Sequence, residues 1–196
     1  GNANKLLKSQ ITFSEDMSLS QSKQIVDSYL SSNPGFNRFN WDMTYLGPWS
    51  ESIEDRFKNG PMVAPGTYKL VLNILEDESL MQEASINIDP RVLDQGITHD
   101  DIKLQLDFSL DVSDLLSEAR QFESMLSIEL QALKEIKEQS RDMIRISLLE
   151  SIHAQLVNED IIYPKPMLID QIKYLYNMIM RADQLPGEEA EKRFYD

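Results

Sequence analysis

Between Gly96 and Pro164 the chain contains neither glycine nor proline. These residues are the strongest local terminators of regular structure, so a long stretch without them favours extended helix. Six of the seven glycines and five of the eight prolines lie in residues 1–96; the rest are Gly187, Pro164, Pro166 and Pro186. The shift marks a boundary near Gly96, with a turn-rich half over 1–96 and a helical half over 97–196.

In the second half, apolar residues recur every three or four positions. Leu115, Ala119, Phe122, Leu126, Leu133 and Ile136 form one stripe, with Ile128 and Leu130 beside it, the spacing of an amphipathic helix. Thr98 is a candidate N-cap, and Asp100 and Asp101 fall in the first turn, where the helix dipole favours anions. The pattern predicts a helix over about 98–138, roughly 60 Å long at ~1.5 Å per residue. A second stripe runs through Ile144, Leu148, Ile152 and Leu156, and compactness alone argues for a break near 138–141. Residues 158–166 read as a loop. Leu168, Ile172, Leu175, Tyr176 and Ile179 predict a third helix over about 167–183, stopped by Pro186-Gly187. Three such helices must pack on one another or on a sheet to hide their stripes.

The first half reads as β-structure. Ile11-Thr12-Phe13 is a candidate strand, and residues 18–31 fit a short helix as well as a strand. Asn33-Pro34-Gly35 is a turn signal. Phe39, Trp41, Met43 and Tyr45 then alternate with polar residues, as a half-buried strand does. Residues 46–66 form a long loop holding Gly47-Pro48, Gly60-Pro61 and Pro65-Gly66. Strands over 67–75 and 80–88 make a hairpin, which Asp89-Pro90-Arg91 ends because proline cannot donate to the ladder. The expected fold class is α+β, with an antiparallel β-sandwich-like first part followed by a bundle of about three long helices packed on or next to the sheet.

Composition restricts function. The 33 acidic residues outnumber the 19 basic ones, giving a net charge of -14. That field repels phosphate backbones and anionic lipid heads, so nucleic acid is not an expected partner. The bland meaning of such a charge is solubility. The absence of cysteine excludes disulfides and thiolate chemistry. No apolar run approaches the ~20 residues of a membrane span, so membrane insertion is not expected. No basic start with an apolar signal segment is present.

Four strings in order carry a family resemblance. They are Gly35-Phe36-Asn37-Arg38-Phe39-Asn40-Trp41-Asp42-Met43, then Gly60-Pro61-Met62-Val63-Ala64-Pro65-Gly66-Thr67-Tyr68, then Asp89-Pro90-Arg91, and finally Asp170-Gln171-Ile172-Lys173-Tyr174-Leu175-Tyr176 followed by Ala182-Asp183. The order resembles the C-terminal region of secreted bacterial BNR-repeat proteins, sortilin-like or glycosyl-hydrolase-like, over roughly residues 33–185. The resemblance implies an immunoglobulin-like sandwich plus a helical tail and a periplasmic or extracellular setting. It implies no chemistry here, because the hydrolase label belongs to a propeller that this sequence lacks.

Candidate site residues each have a plainer reading beside the functional one. Alternation puts Arg38 and Asp42 on the face opposite Trp41; Trp41 then reads as core, and Arg38 or Asp42 as an anchor for a loop backbone. Arg91 is expected to pair with an acid or with helix-end carbonyls. Trp49, on a loop, is the better ligand candidate, because loop aromatics stack on sugars or partners; Asn59 would assist, and the alternative is that Trp49 fills a gap. His99-Asp100-Asp101 hints at a metal, but the second imidazole, His153, lies in another predicted helix, and a capped helix start explains the string. Runs such as Glu76-Asp77-Glu78 and Glu188-Glu189 are solvated rather than a buried acid pair. The expectation is a non-catalytic structural or interaction module with no metal and no cofactor. Its partners would be other domains or protein chains. The alternative is a carbohydrate-binding accessory module that takes a glycan.

Overall fold

A computed structural model describes residues 7–10, 28–30, 34–38, 40–51, 53–74, 78–136, 142–158, 165–181 and 185–195. The chain order is β1 (Leu7–Gln10), β2 (Ser28–Leu30), α1 (Ile53–Lys58), β3 (Gly66–Ile74), β4 (Glu78–Ile86), α2 (Pro90–Asp94), α3 (His99–Glu135), α4 (Met143–Leu156), α5 (Leu168–Ile179) and α6 (Glu188–Tyr195).

The α3 helix is the spine, 37 residues long. A capping box starts it: the Thr98 hydroxyl accepts from the Asp101 N–H, and the Asp101 carboxylate accepts from the Thr98 N–H. The absence of glycine and proline lets it run to Glu135, with Ile136 already extended. Residues 138–141, where compactness argued for a break, lie outside the described residues; α4 begins at Met143 with Asp142 as its cap.

Three apolar clusters are strung along this spine. Leu106 and Leu110 pack with Tyr45 and Val63, flanked by Trp41, Tyr68 and Ile86. Val112 and Leu116 pack with Ile172, Leu175, Tyr176 and Ile179 of α5 and Ala190 of α6. Leu126 and Leu130 pack with Ile146 and Leu156 of α4. The first cluster joins residues from both sides of Gly96.

The strands form one antiparallel sheet in the order β2-β1-β3-β4. Its main part is the β3–β4 hairpin, paired from Gly66↔Ile86 to Ile74↔Glu78. No second sheet faces it among the described residues. The β-sandwich-like, immunoglobulin-like first part is therefore overturned, and helix dominates instead. The bundle of about three long helices is corrected too: among the described residues α3 alone is long, with α4 spanning 14 residues and α5 spanning 12.

The misleading strand signal came from the alternating aromatics around Trp41. Phe39 lies outside the described residues. Met43 takes φ +61, a left-handed conformation that interrupts any pleat there, and the segment makes only the isolated bridge Thr44↔Met62. The apolar side chains serve a loop packed on α3 rather than a second sheet. Ile11-Thr12-Phe13 lies outside the described residues. Tyr68 meets α3 through the Leu106–Leu110 cluster. The α6 helix follows the Pro186-Gly187 stop and was not legible: it is short and highly charged, with Glu188, Glu189 and Glu191 at its start and Lys192 and Arg193 at its end. Among the described residues no helix is long and apolar enough to cross a membrane.

Candidate functional site

The segment from Met43 to Val63 closes on itself and docks against the helices. Tyr45 N–H donates to the Pro61 carbonyl at 2.8 Å, Gly47 N–H to Arg56 at 2.7 Å and Val63 N–H to Met43 at 2.9 Å. The two arms approach so closely that a Cβ on Gly60 would stand 1.7 Å from the Tyr45 carbonyl oxygen, so only glycine fits there.

Helix α3 holds this loop at Trp49. The Trp49 N–H donates to Ser117 Oγ at 2.8 Å, and that hydroxyl donates onward to the Ser113 carbonyl. Arg120 Nη1 donates to the Trp49 carbonyl at 3.0 Å. Helix α5 holds the loop's other arm: the Tyr176 hydroxyl donates to the Asn59 carbonyl at 2.6 Å. Burial raises the Tyr176 phenol well above its ordinary value, against the opposing pull of Ser113 and Arg120, and so keeps it a donor.

Two clefts flank the docked loop. One, of about 240 Å³, is lined by Ser50, Asp55, Asn59, Arg120, Lys173 and Asn177, with Pro48, Leu116 and Tyr176 as walls. Desolvation lowers the Arg120 pKa, while Tyr176 and Asp55 act the other way. The other, of about 390 Å³, is largely apolar, with Met43, Met62, Ile86, Leu106 and Met180 among its lining.

Of the residues singled out in the sequence, Asn59 lines the polar cleft, and its side-chain amide donates to the Asp55 carbonyl at 2.6 Å. Trp49 is half-buried with both backbone polar groups engaged, and does not line the cleft. Trp41 is half-buried, donates Nε1 to the Thr44 carbonyl at 3.1 Å, and sits edge-to-face on Tyr68 at 5.5 Å. Asp42 accepts from the Thr44 N–H and hydroxyl. Arg38 is exposed, its guanidinium 5.8 Å from the Phe36 ring centre. Arg91 makes a two-pronged pair with Asp89, two residues away. The Arg91 hydrogen bonds hold the Asp89 carboxyl well below the usual carboxylate range. This pair is local to the start of α2.

Sequence reasoning missed Ser117, Arg120, Lys173 and Asn177. The available signal was the i, i+3, i+4 spacing of Lys173, Tyr176 and Asn177, which puts them on one face of α5. Nothing local ties that face to a loop more than a hundred residues earlier.

A second polar group lies between α3 and α4. His153 Nε2 is 3.1 Å from both Ser127 Oγ and Glu123 Oε1, and Ser127 donates to the same Glu123 oxygen at 2.7 Å. These residue types invite comparison with a serine hydrolase. In that chemistry the carboxylate takes one ring nitrogen and the hydroxyl the other. Here both converge on Nε2, and the serine proton is directed at the carboxylate. The arrangement clamps two helices and does not activate a nucleophile. Among the described residues no group of three or more His, Cys, Asp or Glu is placed to hold a metal.

The chain matches no family model, no curated protein and no solved structure. The likeness to BNR-repeat proteins therefore rests on the sequence strings alone.

Proposed function

We propose that the protein is a non-catalytic structural or interaction module that docks on another domain or protein chain through the outer side of α3 and α4. The observation that carries this reading is the uncovered apolar surface there. Met125 and Ile128 on α3 are 62% and 66% exposed, and Ile144 and Leu148 on α4 are 85% and 59% exposed. Arg145 of α4 pairs with Glu129 of α3. Met125 precedes Glu129 by one helical turn and Leu148 follows Arg145 by one, so both stand on the side marked by that ion pair. Single exposed apolar residues are ordinary; Met125 and Leu148, each one turn from the Glu129–Arg145 pair, bring exposed apolar side chains from two packed helices to one side, as an interaction surface does. The convergence of Ser127 and Glu123 on one His153 nitrogen supports the non-catalytic part. The periplasmic or extracellular setting comes from the resemblance and belongs to the proposal. The glycan alternative would centre on Trp49 and Asn59, and nothing in the half-buried placement of Trp49 favours it.

A photo-crosslinking residue placed at Ile144 or Leu148 in the native host tests the reading. A discrete protein adduct is expected from both positions and none from Lys192 on α6. Adducts from all three, or from neither apolar position, would overturn it.

A further inference from the structure

We propose that the polar cleft between the docked loop, α3 and α5 binds a small monocarboxylate. The cleft brings two cations, Arg120 and Lys173, to one opening with one anion, Asp55. The local balance is +1 within a chain of net charge -14. Elsewhere the field of the molecule repels anions, so a saturable anion site needs such a local reversal.

The donor geometry suits a carboxylate. Arg120 commits Nη1 to the Trp49 carbonyl, which fixes the guanidinium plane and leaves its other N–H groups for a planar, forked acceptor. Among the described residues Lys173 has no ion-pair partner, and it is exposed at the rim. Asn177, one turn further along α5, adds an amide. The Tyr176 hydroxyl is already engaged with Asn59, so its ring serves as a wall. Pro48 and Leu116 supply apolar wall for a short hydrocarbon portion.

Size and charge narrow the class. A cleft of about 240 Å³ is below the ~300 Å³ at which drug-sized ligand sites begin, so the ligand has few heavy atoms. A monocarboxylate neutralises the +1 lining. A phosphate, near -2 at neutral pH, would leave net negative charge beside Asp55.

The test is a titration of the full chain with sodium acetate, sodium propionate and sodium phosphate at constant ionic strength, followed by NMR. Acetate and propionate should give saturable shifts confined to the Arg120 side-chain N–H, the Asn177 side-chain amide and the backbone around Asn59. Propionate should bind at least as tightly as acetate, because Pro48 and Leu116 receive its extra carbon, and phosphate should bind at least threefold more weakly. Lys173→Glu, a change at an exposed position, should raise the dissociation constant at least tenfold with an unchanged circular dichroism spectrum. Arg120→Gln should do the same, but it also releases Trp49, so Lys173→Glu decides. Unsaturable shifts, shifts spread over the surface, phosphate binding tighter than acetate, or acetate binding that survives Lys173→Glu would each overturn the proposal. The crosslinking result on α4 is independent of all of these outcomes.

Discussion

The Tyr176 hydroxyl donates to the Asn59 carbonyl at 2.6 Å, and so ties α5 to a loop 117 residues earlier in the chain. Tyr176 is 3% exposed, but Asn59 is exposed and lines the cleft, so water can reach the carbonyl that Tyr176→Phe frees. We expect a loss of about 0.5–1.5 kcal/mol in urea unfolding, the usual net range for one hydrogen bond. A loss under ~0.3 kcal/mol would mean that the loop is held by Trp49 alone.

The same phenol makes stability pH-dependent in the alkaline range. Burial raises the Tyr176 pKa above its ordinary 10.0, and burial does the same to Tyr45. Below pH 10 both folded and unfolded chains keep these protons, and the phenols add no slope. Above it the unfolded chain releases protons that the folded chain retains, so stability falls with rising pH. Each fully withheld proton contributes at most about 1.4 kcal/mol per pH unit. Unfolding free energies at pH 9, 10 and 11 should show the downturn, and Tyr176→Phe should make it shallower while Tyr45 still contributes.

Gly60 is where the two arms of the docked loop touch. With a Cβ 1.7 Å from the Tyr45 oxygen, Gly60→Ala must part backbone from backbone. It should destabilise by at least about 3 kcal/mol, the upper range for overpacking. Gly66→Ala is the matched control, because its nearest neighbour is a Tyr68 ring atom at 3.8 Å. Gly→Ala by itself restricts the unfolded chain and favours folding, so similar losses at the two glycines would show that the close approach to Tyr45 does not set the Gly60 requirement.

Trp41 was expected to be core, and full burial would put Trp41→Ala at ~3–5 kcal/mol. Its observed place is half-buried, with one indole hydrogen bond and one edge-to-face contact on Tyr68. The hydrogen bond contributes about 1 kcal/mol and the ring pair about 0.5–1.5. A loss of ~1.5–2.5 kcal/mol in chemical denaturation is therefore expected, and Tyr68→Leu should be non-additive with it.

What the sequence made legible was periodicity, and what it hid was partnership. The stripe from Leu115 to Ile136 located α3, and Thr98 with Asp101 marked its start, because a helix is a local structure written in spacings and caps. The Pro65-Gly66 turn and the run after it likewise located β3 and β4. The aromatics around Trp41 misled because period 2 reports alternating burial and not what covers each side; Met43 in the left-handed region had no signature. The polar cleft was invisible for a related reason. Asn59 was noticed for its nearness to Trp49 in sequence, whereas Arg120 and Lys173 join it only through packing of α3 and α5.

Ile144 and Ile146 stand two residues apart on α4 and separate core from candidate interface. Ile146 is 5% exposed, packed with Leu126, Leu130 and Leu156, whereas Ile144 is 85% exposed. Two residues along a helix turn a side chain through about 200°, so one points into the α3–α4 seam and the other away from it. Ile146→Ala removes buried methyl groups and leaves a cavity, and should cost about 2–4 kcal/mol. Ile144→Gln removes exposed apolar surface in the isolated chain and should change stability by no more than ~0.5 kcal/mol. Thermal and urea unfolding of the two variants provide the comparison. If Ile144→Gln destabilises as much as Ile146→Ala, then Ile144 is covered within the chain, and the outer side of α3 and α4 is not free to dock anything.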